Sequence, residues 1–88
     1  MLTLAQVQTI IGTIQAKLGE NPEDQILAAK LDILYWIKNN DEFRTEQELN
    51  TKIKRIREEL LGIYSNQNIK YLERSAKIDV LLNILEQN

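Results

Sequence analysis

The sequence predicts an all-α protein: an antiparallel four-helix bundle built from two similar helical hairpins related by a pseudo-two-fold. Three observations predict it. Apolar residues recur at steps of three and four through four separate stretches, and no stretch alternates for long with the period of a strand. The single proline, Pro22, sits where a helix start tolerates it. The chain also repeats itself. Thr3 to Leu18 lies without a gap over Thr45 to Leu60, so that Thr3, Val7, Thr9, Ile11, Ile14 and Leu18 fall on Thr45, Leu49, Thr51, Ile53, Ile56 and Leu60. Further on, Ala29-Lys30-Leu31-Asp32 returns as Ala76-Lys77-Ile78-Asp79. Amphipathic helices share Leu and Ile at matching spacings in any case, so the weight falls on the polar matches. A helical hairpin cannot bury its apolar face alone, and two copies give the smallest closed solution.

The elements follow in order. Thr3-x-x-Gln6 is a capping box, in which the hydroxyl takes a free N–H and the amide reaches back. Leu4, Val7, Ile11, Ile14 and Leu18 form the stripe of the first helix, which Gly19 is expected to end. Asn21-Pro22-Glu23-Asp24 reads as an N-cap, a proline at the first helical position and acids in the first turn. The second helix then runs to about Lys38, closed by Asn39 and Asn40, so the first hairpin spans about 3–40. Residues 41–44 link it to the second hairpin, about 45–87, within one domain of 88 residues. Thr45-x-x-Glu48 is another capping box, and Leu49, Ile53, Ile56, Leu60 and Ile63 step as in a coiled-coil seam. Ser65-Asn66-Gln67-Asn68 is a turn, and the fourth helix runs from about Ile69 to Glu86. The second and fourth helices are apolar over most of their circumference, which calls for more than one neighbour each.

Composition narrows function mainly by exclusion. With no His and no Cys, the common general bases, nucleophilic dyads, thiolate metal sites and disulfides are missing. We expect no enzyme, no cofactor and no metal. A net charge of −2 supplies no global field toward nucleic acid or an anionic membrane. The longest strongly apolar run, Ile33 to Ile37, is too short to span a bilayer. The N-terminus shows no basic n-region or apolar h-region of a signal peptide, and a cytoplasmic location is expected.

The surfaces suggest an interaction module of adaptor or inhibitor type that binds a partner protein and forms a homodimer. The first helix carries no charge before Lys17, and an uncharged face costs less to desolvate. Gln8, Ile10 and Thr13 on that face are candidate partner contacts. So are Tyr35 and Trp36, because Trp36 falls on polar Asn83 in the repeat and buried aromatics dominate interface energetics. Lys30 and Lys77 occupy equivalent positions inside apolar arcs. They suggest a second reading, a site for a small anionic ligand or nucleotide, against which stands simple snorkelling of their ammoniums to water. The basic cluster Lys52, Lys54, Arg55 and Arg57 on the third helix suggests a third, a nucleic-acid accessory role. The spacings pair Lys52 with Glu48, Lys54 with Glu58 and Arg55 with Glu59, however, which neutralises the cluster along the helix. Light scattering on the eluting protein at high micromolar concentration is expected to give about twice the 10.3 kDa chain mass. A clean monomer overturns the dimer.

Overall fold

The structure is a computed structural model and describes residues 1–38, 43–63 and 68–87. Four helices make up the fold: α1 Leu4–Glu20, α2 Gln25–Lys38, α3 Glu46–Leu60 and α4 Ile69–Glu86. Among the described residues there is no strand. The expected closure by Asn39 and Asn40, the 41–42 part of the link and the turn at Ser65, Asn66 and Gln67 lie outside the described residues.

Both capping boxes form. At α1 the Gln6 N–H donates to Thr3 Oγ1 at 3.2 Å and the Thr3 N–H donates to Gln6 Oε1 at 2.8 Å. At α3 the Glu48 N–H donates to Thr45 Oγ1 and the Thr45 N–H to Glu48 Oε1, each at 3.2 Å. Each box satisfies two helix-end donors that would otherwise need water. One turn further on, the Thr9 hydroxyl donates to the Ala5 carbonyl and the Thr51 hydroxyl to the Gln47 carbonyl, again at matching positions.

The loop between α1 and α2 departs from expectation. Gly19 does not end α1; the helix continues to Glu20, and the Asn21 N–H closes it on the Leu18 and Lys17 carbonyls. Asn21 is not the cap of α2 and Pro22 is not its first residue. Asn21 to Asp24 instead form a turn closed by the Asp24 N–H on the Asn21 carbonyl at 3.0 Å, with proline second, a position its fixed φ favours. Asp24 caps α2 in its place, its carboxylate accepting from the Ile26 and Leu27 N–H groups at 3.0 Å.

The core draws three buried aliphatic residues from each helix: Val7, Ile11 and Ile14; Ile33, Leu34 and Ile37; Leu49, Ile53 and Ile56; Ile78, Leu81 and Ile84. No polar side chain among the described residues is buried with them. The wide apolar arcs of α2 and α4 find the two neighbours they need. They pack on each other, α1 lies against α2, and α3 lies against α4. The section is therefore flattened, with extents of 37 × 33 × 21 Å.

Two backbone hydrogen bonds lace the hairpins at their ends. The Leu2 N–H, just before α1, donates to the Ile84 carbonyl near the end of α4 at 2.9 Å. The Arg44 N–H, just before α3, donates to the Ile37 carbonyl near the end of α2 at 3.0 Å. In the sequence alignment Leu2 matches Arg44 and Ile37 matches Ile84. Each bond supplies a donor to a helix-end carbonyl that has no partner within its own helix.

A β-carbon at Gly12 would meet nothing within 4 Å, so this glycine does not serve a close approach of helices. Gly12→Ala is expected to raise unfolding stability by about 1 kcal/mol, the helix-propensity gain alone. A urea titration checks this; a loss of stability would reveal a packing role for the missing side chain.

Candidate functional site

Trp36 lies near the end of α2, half-buried against the core. The turn into α3 brings Arg44 onto it. The Arg44 guanidinium carbon stands 4.2 Å from the ring centroid, Nε donates to the Trp36 carbonyl at 2.7 Å, and Nη1 meets Glu48 Oε2 at 3.0 Å. From the first turns of α3, the Lys52 ammonium stands 5.2 Å from the same centroid. Both distances fall within the range of cation–π attraction. Trp36, Arg44, Thr45, Gln47, Glu48, Thr51, Lys52 and Arg55 together line a half-open cleft of ≈ 400 Å³ between α2 and α3.

The charge in this cleft is not what helix spacing predicts. Glu48 turns back to Arg44 instead of forward to Lys52. Glu59 leaves Arg55 and meets Arg74 of α4, Nε to Oε2 at 2.8 Å. Among the described residues, none of the three pairs expected within α3 forms. The lining thus holds three cations and one carboxylate, on a chain whose net charge is −2. The Thr45 N–H and the Arg44 guanidinium hold the Glu48 carboxyl below the usual carboxylate range. It stays ionised and keeps Arg44 in place.

A second cleft, ≈ 420 Å³, lies between α1 and α4 and is lined by Leu2, Gln6, Thr9, Ile10, Asn83 and Gln87. Five of its six lining residues fall on residues of the first. Leu2 matches Arg44, Gln6 matches Glu48, Thr9 matches Thr51, Ile10 matches Lys52 and Asn83 matches Trp36. Where one cleft has an indole and cations, the other has an amide and aliphatic chains.

The sequence-predicted contacts do not form one patch. Gln8 and Thr13 are exposed on α1, the Thr13 hydroxyl bonded to the Thr9 carbonyl. Ile10 is half-buried in the neutral cleft. Tyr35, 45% exposed, leans toward α1, where Gln15 Nε2 donates to its hydroxyl. Trp36 alone lies in the cationic cleft. Lys30 and Lys77 are both half-buried. Lys77 Nζ meets Asp32 Oδ2 at 3.4 Å, and the depression beside it adds Glu73 but not Lys30, so carboxylates outnumber ammoniums there. Sequence reasoning missed Arg44, Lys52 and Arg55 as companions of Trp36; the signal was the contrast of Arg44 and Lys52 with their aliphatic counterparts Leu2 and Ile10.

No helix among the described residues is long and apolar enough to cross a membrane. Among the same residues no group of three or more carboxylates is placed to hold a metal ion. No family model, curated protein or solved structure matches the chain.

Trp36 is the single tryptophan, so its fluorescence reports on the cleft alone. Iodide is expected to quench it more efficiently than caesium at equal ionic strength, because local cations concentrate an anion. Lys52→Glu with Arg55→Glu should invert that order. Equal quenching by the two ions in the native chain would show that the cleft has no net positive potential.

Proposed function

We propose that this chain is a non-catalytic interaction module that binds a partner protein, and that the docking surface is the α2–α3 cleft around Trp36. One observation carries the reading. Of two clefts at matching positions, one is elaborated with a half-buried indole and three cations, and the other stays neutral. Scaffold needs alone would treat the two alike. A large aromatic lining a concave site, with Arg beside it, has the composition of an interface hot spot. The absence of His and Cys favours binding over catalysis. The small-anion reading at Lys30 and Lys77 draws less support, because Asp32 already pairs with Lys77 and Glu73 stands near.

A random peptide library displayed on phage and selected on the native chain tests the reading. Selected peptides are expected to bind Trp36→Ala roughly tenfold or more weakly, the loss typical of a hot-spot truncation, while the variant keeps its helical circular dichroism. Peptides that bind the variant equally well would move the docking surface elsewhere.

A further inference from the structure

The occupant of the Trp36 cleft follows from its charge and reach, granted that the cleft is the docking surface. We infer that it takes an acidic segment of the partner protein, with carboxylates meeting Arg44, Lys52 and Arg55 and apolar atoms resting on the indole edge.

Three observations support a carboxylate-bearing segment. First, among the described residues no carboxylate pairs with Lys52 or Arg55. The two acids that spacing would assign to Lys52 and Arg55 are committed elsewhere, Glu48 to Arg44 and Glu59 to Arg74. Lys52 and Arg55 are three residues apart on α3 and therefore share a face. Second, Arg44 is pre-oriented. Its Nε is held by the Trp36 carbonyl and one Nη1 donor by Glu48, which leaves the remaining guanidinium N–H groups to donate to a second carboxylate. Holding the side chain in advance lowers the ordering cost of binding. Third, the dimensions suit a short chain. From Thr45 to Arg55 the helix rises ~15 Å, which about five extended residues at ~3.3 Å each would cover.

The same geometry disfavours a nucleic acid. Sequence-tolerant strand binding rests on bases stacking on open aromatic faces along a basic groove. Here a guanidinium at 4.2 Å and an ammonium at 5.2 Å already attend the one indole, and the chain as a whole is acidic.

The experiment is an array of short peptides of graded net charge, together with single-stranded poly(U), read by binding to the native chain and to four variants. Affinity is expected to rise with negative peptide charge, to weaken as salt is raised, and to fall roughly tenfold or more in Lys52→Gln with Arg55→Gln, the loss of charge-assisted contacts. Lys52→Glu with Arg55→Glu should reverse the charge preference, with an unchanged melting temperature to show that the fold is kept. Trp36→Ala should abolish the preference. Binding that depends on Trp36 but not on peptide charge would overturn the acidic partner and leave the docking surface standing. Binding indifferent to Trp36 would remove both. Poly(U) binding more tightly than every acidic peptide, with the same dependence on Lys52 and Arg55, would replace the protein segment with nucleic acid. Salt-sensitive self-association lost on Glu20→Lys with Glu23→Lys would assign the cleft to the acidic loop of a second copy.

Discussion

Everything in this fold depends on the burial of α2 against α4. These helices are apolar over too much of their surface to be satisfied by their own hairpin partners, and each turns the excess toward the other. Leu34 and Ile37 of α2 and Leu81 and Ile84 of α4 are all fully buried. A fully buried aliphatic side chain contributes on the order of 1.5–3 kcal/mol. In a chain of 88 residues, such side chains are the main source of stability, because no disulfide is present to assist. The outer helices then need only a narrow stripe, and α1 and α3 have one: three core residues apiece at spacings of four and three.

Local signals were legible in the sequence, and long-range ones were not. The capping boxes at Thr3 and Thr45 and the span Ile69–Glu86 follow from residues within a turn of each other, so spacing alone located them. The loop after α1 misled because Asn21, Pro22 and Asp24 can each serve a turn or a cap. The competition was settled by which side chain could reach the free N–H groups of Ile26 and Leu27. Ion pairing on α3 misled for a different reason. An exposed pair four residues apart is worth only about 0.3–0.5 kcal/mol. Arg44 pairs with Glu48 from four residues before it, anchored in addition on the Trp36 carbonyl, and Arg74 reaches across from α4; the anchor and the cross-helix pair lie outside any spacing rule.

The candidate site was half legible on the same grounds. Trp36 stood out because its counterpart is Asn83, a comparison internal to the sequence. Its cations did not, because Arg44 precedes a helix and Lys52 appeared neutralised by Glu48. Tyr35, its neighbour in sequence, turns to α1 and serves a different surface. Successive residues on a helix point about 100° apart; in a flattened bundle that angle is enough to send one to each side.

The flattened section has a consequence for how the molecule opens. Each outer helix is held chiefly by one inner helix, while each inner helix is held by two. Local unfolding free energy follows the number of such attachments. The backbone amides of α1 and α3 therefore exchange with solvent water ahead of those in the middle of α2 and α4. The inner pair joins segments far apart in the chain, so its loop-closure cost falls before its contacts can form. The two halves are therefore expected to fold as one cooperative unit.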